Sequence, residues 1–158
     1  MPDLFAHFAS GYLIGRIPSI RSWSAFLTLG AILPDLLTRI PEIILDRFLG
    51  IPIYHFVEIF HSPLCLLLTS FAISLLIEHR ARSKAFLSIF LGSTIHVVLD
   101  LMQKQFGSAI YMPFFPFSLD KVQWGLFHFN ASIVFFPLLL ILVFAAWILP
   151  DALRKHRR

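Results

Sequence analysis

Three stretches of the chain, Val57 to Leu76, Ala85 to Met102 and Leu126 to Leu149, run for 18 residues or more with few ionisable side chains. A helix rises about 1.5 Å per residue and the hydrocarbon core of a bilayer is about 30 Å thick, so each stretch is long enough to span. Two further segments, Leu4 to Ile17 and Trp23 to Ile40, are shorter or interrupted. Pro34 is expected to kink or break the second of them just before Asp35. Soluble domains carry about 45–50% apolar and roughly 25% charged residues. This chain of 158 residues is 58% hydrophobic and 14% charged, with 18 phenylalanines. That composition excludes disorder, and a lone Cys65 inside an apolar run excludes a disulfide scaffold. The predicted fold is all-α: one domain over residues 1–158, a polytopic membrane bundle of about five membrane-embedded helices. The loop from Gly107 to Gly125, rich in Pro and Phe, is expected to lie re-entrant or flat at the interface.

The net charge of +4 does not point to nucleic acid, because the cations cluster at the ends of the apolar segments rather than along a polar face. Residues 1–20 lack a basic opening and contain His7 and Arg16, which fits a cleavable signal peptide poorly. Arg16 and Arg21, then Arg80, Arg82 and Lys84, then Arg154, Lys155, Arg157 and Arg158 place nine cations on one side, against Arg39, Arg47, Lys104 and Lys121 on the other. The positive-inside rule predicts an outer N-terminus and a cytoplasmic C-terminus. Tyr111 and Trp124 then belong to the outer aromatic belt.

Ionisable residues inside apolar segments are costly at membrane depth unless they meet a partner or a cavity. Here they are His7, Asp35, Glu58, His61, His96, Asp100 and His128. Counted from the basic ends at 1.5 Å per residue, Asp35, His61, His96 and Asp100 reach heights of roughly 18 to 27 Å and His7 about 14 Å. Four helices thus aim imidazoles and carboxylates at one layer. The spacing His96-x-x-x-Asp100 puts both side chains on one helical face, where they can bind one metal ion together or simply pair with each other. His7, Asp35 and His61 offer further ligands from separate segments. A mixed imidazole and carboxylate set suits a divalent ion such as zinc, and with His7 included one or two ions are possible.

The other candidates carry less. Glu58, three residues before His61, is read either as an orienting carboxylate or base, or as an interfacial residue. His128 lies at the outer end of the last helix, where an interfacial histidine needs no special role. His79 and His156 flank basic clusters and are expected to be solvated. No Walker-type loop, GxSxG, HExxH or CxxC is present.

Taken in order, these residues resemble a family: the YdjM-like, LexA-binding inner-membrane metal-dependent hydrolases of bacteria and archaea. Met1-Pro-Asp-Leu-Phe-Ala-His7 resembles its amino-terminal histidine segment, Gly30-Ala-Ile-Leu-Pro-Asp35 its Gly-x-x-x-Pro-Asp motif, and His61-Ser62 its His-Ser step. Gly92 to Asp100 is similar to its Gly-x-x-x-His-x-x-x-Asp motif, and Pro116-Phe-Ser118 to its later Pro-Phe element. Departures are the Tyr54-His55-Phe56-Val57-Glu58 run before His-Ser and Leu36-Leu-Thr-Arg39 in place of an acidic cluster. The ligand order is also similar to that of zinc-dependent phospholipase C. That resemblance implies that Asp35, His61, His96 and Asp100 hold one zinc, with Asp100 bridging to a second near His7.

The expected function is therefore metal-assisted hydrolysis of a phosphoester or other ester in a membrane lipid or lipid-like substrate. A metal-activated water would attack, with Asp35, Asp100 or Glu58 as proton acceptor. Two rivals remain open at this point: a divalent-metal or proton transporter, and a non-catalytic scaffold with a structural metal.

Overall fold

A computed structural model describes residues 4–51, 58–104, 111–128 and 130–155. Five α-helices organise it: α1 (Leu4–Ile14), α2 (Ser24–Pro41), α3 (Pro63–Ser74), α4 (His79–Met102) and α5 (Ala131–Lys155). Helix α2 runs on into a π-helical stretch, Glu42–Phe48, and short 3-10 turns cover Arg21–Trp23 and Glu58–His61. Two-residue strands Gln103–Lys104 (β1) and Phe127–His128 (β2) pair in parallel and tie the end of α4 to the entry of α5.

Small residues allow α2 and α4 to cross backbone to backbone. A Cβ on Gly30 would meet the carbonyl oxygen of Ile89, and one on Gly92 would meet that of Leu27. No side chain fits at either position. Lys84 sits over the Trp23 ring at 5.4 Å, which pins the start of α4 beside the start of α2 and makes the two helices parallel. Helix α1 runs the other way, with Gly11 against Ala31 and Gly15 against Ser24. Ala9 on α1, Leu27, Ala31 and Leu33 on α2, and Ala85 and Ile89 on α4 are buried.

Pro34 does not end α2, which continues to Pro41. The reason lies on another helix. A proline has no N–H for the carbonyl four residues back, which here is Gly30, and the Ser93 hydroxyl donates to that carbonyl at 3.0 Å. Conversely, the segment expected from Val57 to Leu76 is helical only over Pro63–Ser74, preceded by the 3-10 turn. Ser62 caps α3 by accepting from the Cys65 N–H at 3.4 Å, and Pro63 takes the first helical position, where its missing N–H costs nothing.

Helix α4 is long and apolar enough to cross a membrane, whereas the apolar helical stretches Leu4–Ile14, Pro63–Ser74 and Val134–Ile148 are shorter. Large apolar side chains face outward on α3, including Leu67, Leu68 and Phe71, and on α5, including Val134, Ile141 and Phe144. Contiguous apolar surface of this kind needs lipid or protein against it.

In the described part of the Pro/Phe-rich loop, residues 111–125, the backbone folds back onto α4. The Trp124 and Leu126 N–H groups donate to the Leu101 and Met102 carbonyls at 2.7 and 2.6 Å, satisfying acceptors that a helix end leaves open. Phe117 is 96% exposed, so the loop presents apolar surface outward as its composition predicts.

Candidate metal centre

Two sequence motifs interlock to build the centre. Gly30 and Gly92 bring α2 and α4 together, and Pro34 releases a carbonyl that Ser93 takes up. One turn further along α4, His96 Nδ1 lies 2.7 Å from the Ala31 carbonyl oxygen. The residues that follow each contact, Asp35 on α2 and Asp100 on α4, then face the same space. Helix α1 adds His7, one turn before the Gly11 that packs on Ala31, and the 3-10 turn before α3 adds His61.

All five side chains are buried: His7, Asp35, His96 and Asp100 at 0% exposure and His61 at 1%. Asp100 is central. Its Oδ1 lies 3.2 Å from His7 Nε2, and its Oδ2 lies 3.3 Å from His96 Nε2 and 3.7 Å from His61 Nε2. Asp35 Oδ1 lies 4.0 Å from both His61 Nε2 and His96 Nε2, with the Arg39 Nε at 3.6 Å. The His7 and His96 rings stack at 3.7 Å between centroids.

The donor chemistry of this cluster fits a metal ion. A carbonyl only accepts, so the bond to Ala31 places a proton on His96 Nδ1 and turns Nε2, the atom that can ligate an ion, toward two carboxylates. A cation held between the imidazoles and the carboxylates would satisfy these atoms together. Consistent with that, the three Nε2 atoms and all four oxygens of Asp35 and Asp100 make no hydrogen bond among the described residues. Buried polar atoms in native proteins are almost always paired, so a cluster of unpaired imidazole and carboxylate atoms marks a place for an ion. Two overlapping groups can each hold one, His7 with His96 and Asp100, and Asp35 with His61 and His96, with ligand atoms within 4.8 Å of one another.

The model of the YdjM inner membrane protein family matches residues 1–157. This chain belongs to that family. Neither a curated protein nor a solved structure gives a match. As a YdjM family member it is a membrane protein whose buried His and Asp groups could hold a metal ion.

Within this YdjM chain the five residues singled out from the sequence as metal ligands thus fall in one cluster. The Glu58 side chain, proposed as a base, lies outside the described residues. His128 is exposed on β2, and His79 is exposed at the start of α4. Sequence reasoning missed two partners. The Ala31 carbonyl is invisible because any residue supplies one. Tyr111, expected in the outer aromatic belt, is 2% exposed and packs its ring 5.3 Å from that of His61.

Proposed function

We propose that this YdjM family protein is a metal-dependent hydrolase embedded in the bacterial or archaeal inner membrane, cleaving a phosphoester or other ester bond in a lipid-like substrate. The observation that carries the reading is the buried convergence of three imidazoles and two carboxylates with no hydrogen bonds among them. His7, Asp35, His61, His96 and Asp100 would hold one or two ions, with zinc the best match to this donor mixture.

A divalent ion held there would supply Lewis acidity, lowering the pKa of a water toward about 7 and stabilising charge on a phosphoryl or acyl oxygen. The protein's part is orientation and proton transfer. Asp100 presents one oxygen to His7 and the other to His96 and His61, so it is the carboxylate placed to join both halves of the centre. Asp35 directs Oδ1 at the two histidines, and its Oδ2, buried with no hydrogen bond among the described residues, is the acceptor for the proton of the attacking water. Tyr111, packed against His61, keeps bulk water off that side. Glu58, three residues before His61, is the alternative acceptor.

The nine-to-four cation asymmetry supports five membrane-embedded segments with the N-terminus outside and the C-terminus in the cytoplasm. The experiment is metal analysis of the purified protein alongside turnover on a panel of phospholipids and soluble phosphoesters. Wild type is expected to retain divalent metal and turn over a substrate. His96→Ala should lose at least half of the metal, and Asp100→Asn should lower turnover by 100-fold or more. Metal retained with no hydrolysis of any ester would instead mark a structural centre, and metal flux across proteoliposomes a transporter.

A further inference from the structure

The polar residues one turn past Asp35 on α2 point to different places. Thr38 is buried, and its hydroxyl donates to the Pro34 and Asp35 carbonyls, each at 3.1 Å, so it is engaged within its own helix. Arg39 instead reaches outward: its Nε lies 3.6 Å from Asp35 Oδ1 while its side chain is 42% exposed. Every other side chain in the ion pairs of the centre is at most 1% exposed among the described residues. Arg39 is thus the group through which the described part of the centre meets its surroundings, and Ile40 beside it is exposed as well.

Charge gives this position a chemical meaning. The oxygen that Arg39 faces is the one 4.0 Å from both His61 Nε2 and His96 Nε2, so the guanidinium stands at the edge of the ligand set. With neutral imidazoles, the carboxylates of Asp35 and Asp100 offset a single divalent ion. Arg39 then leaves these groups with a net positive charge, which a second ion would only increase. A permanent cation beside a loaded metal centre is repelled unless an anion is shared between them. Arginine suits that task, because it stays charged and its planar fork of N–H donors can serve Asp35 and a second oxyanion at once.

We propose that Arg39 binds a phosphoryl group at the centre, its guanidinium donating to a non-bridging oxygen on which charge builds during hydrolysis. The inference rests on the hydrolase reading above and narrows its substrate from esters in general to phosphoesters. A carboxylic ester is neutral before attack and leaves the positive charge unbalanced, whereas a phosphoester is an anion throughout. The phosphoryl of a lipid headgroup and a free phosphate share this chemistry.

The test begins with the full-length, zinc-loaded wild-type protein in maltoside micelles, treated with the arginine reagent phenylglyoxal and followed peptide by peptide by mass spectrometry. Inorganic phosphate is expected to slow modification of Arg39 about tenfold and to leave that of Arg47, exposed on the π-helical stretch, unchanged. Short-chain phosphatidylglycerol should protect Arg39 as well, and the diacylglycerol with the same chains should not. Protection by that lipid without protection by inorganic phosphate would support the proposal with a headgroup as the source. Arg39→Gln should keep its zinc, bind inorganic phosphate about tenfold more weakly by calorimetry and turn over a phosphodiester about 100-fold more slowly, with Arg39→Lys recovering part of each loss. The protection assay needs no variant and decides the matter if neither folds. No protection by either phosphate compound, or equal slowing at Arg39 and Arg47, would overturn the proposal. So would loss of zinc from both variants, which would make Arg39 a counter-ion that only holds Asp35. Hydrolysis confined to carboxylic esters and indifferent to Arg39→Gln would overturn it while the hydrolase reading stands. Arg39-dependent phosphate binding in a protein that cleaves no ester would overturn the hydrolase reading instead and leave Arg39 as an anion site.

Discussion

At the scale of single residues, the contact that most directly shapes the centre is the one between Ser93 and the Gly30 carbonyl. Pro34 removes the N–H that would otherwise occupy that carbonyl, so the bond from Ser93 exists to complete a helix on a different segment. Ser93 is fully buried, and interhelical hydrogen bonds of this kind in membrane proteins contribute roughly 0.6 to 2 kcal/mol. Ser93→Ala is therefore expected to destabilise the protein by about 1 kcal/mol, read as a shift in denaturant midpoint in detergent micelles. Pro34→Ala restores the missing N–H. In that background the loss of Ser93 should cost less, giving a coupling of about 0.5 kcal/mol or more across the double-mutant cycle. Strict additivity would mean that the hydroxyl and the proline do not act on the same carbonyl.

At the scale of elements, the positions of the ligands depend on how closely α2 and α4 approach. A Cβ at Gly92 would press on the Leu27 carbonyl oxygen and the Ala31 nitrogen, both backbone atoms that cannot swing aside. Gly92→Ala must push the helices apart, and overpacking of this kind costs about 1–3 kcal/mol. The larger consequence falls on the centre, since Asp35 rides on α2 while His96 and Asp100 ride on α4. We expect Gly92→Ala to lower metal stoichiometry by half or more although it changes no ligand, whereas Leu91→Ala, on the exposed neighbouring position, should leave the stoichiometry as it is. This dependence also accounts for what could be read from the sequence. Buried ionisable residues announce themselves in apolar segments, so His7, Asp35, His61, His96 and Asp100 were legible as a set. The continuation of α2 through Pro34 was not, because its remedy is Ser93 on another helix, 63 residues from the Gly30 carbonyl it serves. Tyr111 was equally hidden: an aromatic in a loop reads the same whether it lies at a lipid interface or against His61.

At the scale of the whole molecule, the five buried ligands lie toward one end of every helix that carries them. His7 is in the first turn of α1, Asp35 in the second half of α2, His61 just before α3 and Asp100 in the last turn of α4. Arg16, Arg21, Arg80, Arg82 and Lys84 occupy the opposite end. From Lys84 to Asp100 is about 24 Å along α4 at 1.5 Å per residue, so if the basic end sits at the cytoplasmic surface the centre lies in the outer part of a hydrocarbon core about 30 Å thick. That placement is testable in intact cells. In a Cys65→Ser background, Ser118→Cys in the apolar loop should react with a membrane-impermeant maleimide added outside, and Ser83→Cys in the basic cluster only after permeabilisation. The same placement sets the side from which a metal held by these residues would exchange. An impermeant chelator applied to right-side-out vesicles should strip most of the metal, and one enclosed in their lumen should strip little. The reverse pattern would invert the topology, and it would place the centre, together with any lipid it cleaves, on the cytoplasmic leaflet.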